Sequence, residues 1–156
     1  MRQLFNAQVI YMKTAHLHDL WDSPDNARLT TKQFSFRLPV HIGAKIAALC
    51  EMYPQKNRTQ IVADLLAAAL DDLEKHLPEE LGSRPDPEEE HYDRMAADAS
   101  HEEYVPYYRL GGPRGRFRNI ANRYYEELEK ELGNEKPTPL YQQLWVTEAQ
   151  MKAKKS

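Results

Sequence analysis

The stretch from Lys32 to Leu66 constrains this chain more than any other. It opens Lys32-Gln33-Phe34-Ser35-Phe36-Arg37-Leu38-Pro39. Phe34, Phe36 and Leu38 alternate with Gln33, Ser35 and Arg37, the period of two that marks a strand with one buried face. Pro39 ends that strand and suits the first turn of a helix, where its missing N–H is no loss. Ile42, Ile46, Leu49, Cys50 and Tyr53 then recur at helical spacing, which predicts an amphipathic helix over 40–53, stopped by Pro54. Asn57 is a good N-cap and Gln60 completes a capping-box pattern, so a second helix is predicted over 58–76. Its apolar residues, Ile61, Val62, Leu65, Leu66, Ala69, Leu70 and Leu73, form a face broad enough to meet more than one helix. One strand and two helices cannot bury a core alone. Two copies can, if their strands pair.

Charge follows the same division. The chain has 156 residues and a formal net charge of −3, so global charge does not advertise a polyanion partner. Residues 30–58, however, carry Lys32, Arg37, Lys45, Lys56 and Arg58 against one acid, Glu51. A second basic cluster comprises Arg109, Arg114, Arg116, Arg118 and Arg123. Between them, residues 79–103 are dominated by Asp and Glu. Cys50 is the only cysteine, which excludes an intrachain disulfide and suits a reducing cytoplasm. No apolar run has transmembrane length, so no membrane partner is expected, and the first residues lack the continuous apolar stretch of a secretion signal.

The order strand, proline, helix, polar turn, helix resembles the ribbon-helix-helix family of DNA-binding proteins. Gln33-Phe34-Ser35-Phe36-Arg37-Leu38-Pro39 is similar to the family's strand and the residue after it, and Asn57-Arg58-Thr59-Gln60-Ile61 sits where its second helix opens. The resemblance implies a mainly α fold: a ribbon-helix-helix intertwined dimer, here with a partly helical C-terminal extension. It implies strands from two chains pairing antiparallel in the major groove. Gln33, Ser35 and Arg37 would then read base edges; Arg can pair with guanine O6 and N7, and Gln with adenine N6 and N7. Lys56, Asn57, Arg58 and Thr59, at a helix N-terminus, would hold a phosphate, with Lys32 adding a backbone contact. Phe34, Phe36, Leu38, Ile42, Ile46, Ile61, Leu65 and Leu66 would form the dimer core. The family often places Gly between the helices, where this chain has Pro54-Gln55-Lys56.

Four segments are predicted: an N-terminal arm over 1–29, the ribbon-helix-helix domain over 30–77, an acidic connector over 78–106 and a helical extension over 107–156. In the arm, Val9–Met12 reads as strand or short helix, and Leu17, Leu20 and Trp21 suggest an amphipathic turn. In the connector, Pro78, Pro85, Pro87 and Pro106 read as breakers and Glu88-Glu89-Glu90 as a solvated run, with 95–99 a possible helix. Leu110-Gly111-Gly112-Pro113-Arg114-Gly115 reads as a hinge-like loop before a helix over 117–132 that Gly133-Asn134 ends. Arg114, Arg116 and Arg118 offer a second nucleic-acid contact; the alternative is pairing with the acidic connector. His16-Leu17-His18-Asp19 is too sparse for a metal site, and the tyrosine pairs 107–108 and 124–125 suit core or interface.

No nucleophile–base pairing or phosphate-cradling glycine loop stands out, so neither catalysis nor a cofactor is expected. The leading expectation is a dimeric, cytoplasmic transcriptional regulator of bacterial or phage type that binds double-stranded DNA, with possible higher assembly on DNA and a possible protein partner for the C-terminal half. One alternative is an antitoxin whose C-terminal half wraps a toxin. Another is a dimeric scaffold with no DNA role.

Overall fold

A computed structural model describes Thr14, residues 17–21 and residues 28–155. Over these residues the chain is mainly helical with a small three-stranded sheet. The described residues divide into two compact units, those up to 75 with 128–137, and 76–127 with 138–155.

The first unit contains α1 (Leu17–Trp21), α2 (Val40–Met52) and α3 (Arg58–His76). The last two match the predicted helices to within a residue. Pro39 is the N-cap of α2, and its carbonyl accepts the N–H groups of Ile42 and Gly43, both at 3.0 Å. Asn57 and Gln60 form the reciprocal box at the start of α3: Gln60 N–H donates to Asn57 Oδ1 at 2.8 Å and Asn57 N–H to Gln60 Oε1 at 3.1 Å. The core comprises Leu17, Trp21, Ile61 and Ala68, with Leu49, Cys50, Tyr53 and Leu65 packed around it. The arm therefore contributes directly to this core. Trp21 stands edge-on to Tyr53, centroids 4.9 Å apart, and its Nε1–H donates to Asp64 Oδ2 at 2.7 Å. The side chain of Leu20 and residues 9–12 lie outside the described residues.

The second unit is built on β1 (Glu80–Leu81), β2 (Tyr107–Gly111) and β3 (Trp145–Thr147), in that order and antiparallel throughout. Tyr108 pairs with Val146 and Arg109 with Trp145. Tyr108, Leu110 and Val146 turn one way and pack with Met151 of α6 (Glu148–Lys154). Tyr107 and Arg109 turn the other way, onto Trp145. The Tyr107 hydroxyl donates to Asp93, and this bond, with burial, raises its pKa well above the usual phenol range.

Residues 78–106 are not an open connector. They carry β1 and α4 (Pro87–Ser100). Pro87 opens the helix instead of breaking it, the Asp86 side chain caps it, and Glu88, Glu89 and Glu90 fill its first turn, where carboxylates complement the dipole. The run is solvated as expected, with Glu88 and Glu89 exposed, and it is also a helix start.

The hinge read over 110–115 is likewise replaced. Strand β2 passes directly into α5 (Gly112–Glu131), which begins ahead of the predicted 117. Gly112 takes φ +72°, a conformation that side chains rarely adopt, and a β-carbon at 115 would fall onto the Leu110 carbonyl. These glycines make a tight strand-to-helix corner, not a flexible loop. At the other end Gly133 takes φ +89°, its N–H bonds Lys130 O at 3.0 Å, and Asn134 N–H bonds Glu129 O at 2.9 Å. That is the two-bond Schellman termination the Gly133-Asn134 pair predicts. Among the described residues no helix is long and apolar enough to cross a membrane.

Candidate nucleic-acid interface

Residues 32–39 form neither helix nor paired strand. The ladder expected over 32–38 is not made within one chain. A strand needs a neighbour to exchange hydrogen bonds with, and the three strands among the described residues are spent in the second unit. The alternation is visible all the same. The rings of Phe34 and Phe36 lie stacked at 6.4 Å and 10°, on one side of the backbone. Phe34 is 66% exposed, Phe36 70% and Leu38 51%. Gln33, Ser35 and Arg37 are exposed between them.

The residues expected in the dimer core therefore separate into two groups. Ile61 is fully buried within its own chain and Leu65 is partly buried, because the arm residues Leu17 and Trp21 reach them. Ile42 and Ile46 are half-buried, and Leu66 remains 49% exposed. Leu66, Leu70 and Leu73 follow one another at four and three residues along α3, and each is about half exposed. With Phe34, Phe36 and Leu38 they leave this unit with far more open apolar surface than scattered single residues would give.

The start of α3 presents Asn57, Arg58 and Thr59 to solvent. The capping box occupies the Asn57 N–H, so the donors that helix geometry leaves without a partner inside α3 are those of Arg58 and Thr59. Lys56, expected to hold a phosphate beside them, is instead 8% exposed. The turn places it inward: its N–H bonds Tyr53 O at 3.1 Å in the bend that Pro54 and Gln55 form. Lys32 pairs with Glu131 at 3.3 Å.

Arg114, Arg116 and Arg118 do not make a single exposed patch. Arg114 pairs with Glu79, a carboxylate of the acidic segment, which Lys154 also reaches at 2.6 Å. Arg118 is buried; it donates to the Gln142 carbonyl at 2.9 Å and lies 4.5 Å from the Tyr141 ring centroid. Arg116 alone of the three is exposed. At His18 the ring Nδ1 meets the Tyr53 hydroxyl at 2.7 Å. Among the described residues no group of three His, Cys, Asp or Glu side chains could hold a metal ion; His16 and the Asp19 side chain lie outside them.

Comparison with family models, with curated proteins and with solved structures finds no match to this chain.

Proposed function

We propose that the chain is a dimeric, sequence-specific DNA-binding protein, a transcriptional regulator that reads the major groove with a ribbon formed by residues 32–38 of two chains. The observation that carries this is the open segment itself. Three apolar side chains, each more than half exposed, alternate with Gln33, Ser35 and Arg37 ahead of two helices in the required order. Burying what is exposed of Phe34, Phe36 and Leu38 is worth about 4 kcal/mol per chain, at roughly 1.5–3 kcal/mol for each fully buried apolar side chain. Two chains contribute about twice that, comparable to the cost of association, with Leu66, Leu70 and Leu73 of α3 still to add. Pairing would leave Gln33, Ser35 and Arg37 on the outer face, where Arg37 and Gln33 have the donor patterns that distinguish bases. Arg58 and the first N–H groups of α3 supply the phosphate contact.

An antitoxin would need residues 77–156 as a wrapping segment. Those residues carry a sheet and helices around Leu110, Val146 and Met151, which favours a domain that assembles dimers or docks a folded partner.

The test is duplex binding by fluorescence anisotropy at several salt concentrations. Arg37→Ala is expected to cost about 1–3 kcal/mol on the preferred sequence and little on random DNA, and Arg58→Ala to weaken both alike and flatten the salt dependence. Equal losses on both sequences for both variants contradict the ribbon assignment. A wild-type dimer with no salt-sensitive binding supports the scaffold alternative.

A further inference from the structure

The charges of α5 run against its own dipole. Arg114, Arg116 and Arg118 stand at its N-terminal end, and Glu126, Glu127, Glu129 and Glu131, with Lys130 the one cation among them, at its C-terminal end. Carboxylates are disfavoured at a helix C-terminus, so they gain from a cationic partner there. Within the first unit Glu129 and Glu131 have such partners at the start of the ribbon segment. Glu131 accepts from the Thr31 hydroxyl at 3.4 Å through one oxygen and pairs with Lys32 at 3.3 Å through the other. Glu129, largely buried, pairs with Arg28 at 3.0 Å and accepts from Asn134 Nδ2 at 2.9 Å. The Schellman termination at Gly133 fixes both carboxylates on the last turn.

Resting on the DNA-binding proposal above, we propose that the end of α5 is a latch on the ribbon: Glu131 occupies Thr31 and Lys32 in the place a DNA phosphate would take, and the two anions compete. A hydroxyl and an ammonium offered together to two oxygens form a donor set that suits a backbone phosphate as well as a carboxylate. While Glu131 holds them, the segment leading into Gln33 is tied to α5. When DNA displaces Glu131, Lys32 turns to the backbone and the ribbon is released to seat. The Lys32 and Glu131 side chains are 51% and 43% exposed, so the pair is weak enough for a polyanion to displace. The competition acts on any sequence, because a phosphate contact carries no base information.

Two measurements on full-length protein test this. The first is limited trypsinolysis with mass-spectrometric readout of cleavage between Lys32 and Gln33, without DNA. Glu131→Gln is expected to speed that cut about two- to fivefold, the scale of one exposed ion pair, with distant cuts unchanged. The second is affinity for duplex DNA, expected to rise about two- to fivefold on specific and random sequences alike in Glu131→Gln, and not at all when the substitution is made in a Lys32→Gln background. An unchanged rate at Lys32 overturns the latch whatever DNA does. Faster cleavage with unchanged affinity overturns the competition. Faster cleavage in a protein that binds no DNA at low salt overturns the DNA-binding proposal and leaves α5 as a structural clasp.

Discussion

Replacing Trp21 by Ala tests whether the N-terminal arm belongs to the fold of the first unit. Trp21 is 4% exposed, packs edge-on to Tyr53 and donates to Asp64, and it shares a cluster with Leu17, Ile61 and Ala68. Truncating a buried aromatic to Ala costs about 3–5 kcal/mol through lost transfer energy and the cavity left behind. The indole N–H adds a second, separable contribution. Trp21→Phe keeps most of the apolar contact but leaves Asp64, a half-buried carboxylate, short of one charge-assisted bond, at about 1.5–3 kcal/mol. The expected order is therefore wild type, then Trp21→Phe, then Trp21→Ala. Urea unfolding followed by far-ultraviolet circular dichroism, at one protein concentration, measures it. If the arm stays docked until global unfolding, all three proteins share one m-value. A loss below about 1 kcal/mol for Trp21→Ala would refute the docking, since no well-packed Trp can be removed so cheaply.

Gly115→Ala is expected to destabilise the second unit by at least about 3 kcal/mol, the upper end for overpacking, because its β-carbon meets the Leu110 carbonyl rather than a side chain that can swing aside; a melting temperature equal to wild type would contradict the tight corner between β2 and α5. Phe36→Asp is expected to leave α2 and α3 intact by circular dichroism while shifting sedimentation toward the monomer, and an unchanged sedimentation coefficient counts against the ribbon as dimer interface. Burial alone would raise the Glu79 pKa, but hydrogen bonds and charge from Lys154 and Arg114 outweigh it and hold it below the usual carboxylate value. A depressed folded-state pKa stabilises above the unfolded value, and that stabilisation is lost as pH falls through the folded one. Glu79→Gln should therefore be less stable than wild type at neutral pH, with the gap closing as pH drops below about 4.5; a gap independent of pH would rule out the charged pairing.

The helices of the first unit were legible because Pro39, Pro54 and the Asn57–Gln60 box punctuate a clear period of 3.6. Single residues misled where their role depends on position within an element. Pro87 ahead of the solvated Glu88-Glu89-Glu90 looks like a break in regular structure until Asp86 is seen to cap them as a helix start. Gly112 and Gly115 look like a hinge, yet the same freedom and the same missing β-carbon serve a rigid strand-to-helix corner. The burial of Lys56 is set by the direction of a short turn, which no periodicity encodes. The pairing of Arg114 with Glu79 was open as one of two alternatives, since two opposite charge clusters can meet each other or a ligand. The contacts of Glu129 and Glu131 with Arg28 and Lys32 span about a hundred positions and are beyond local pattern, although the inverted charge order of α5 is written in the sequence.

Selection of bound sequences from a random duplex pool, run on wild type and on a Gln33→Ala/Arg37→Ala double variant, shows whether the ribbon reads DNA. A short, roughly palindromic motif is expected for wild type, as two-fold symmetric dimers select, with loss of that motif in the variant while weak, salt-sensitive binding persists. The same motif enriched by both proteins, or none by either, would contradict reading by the ribbon.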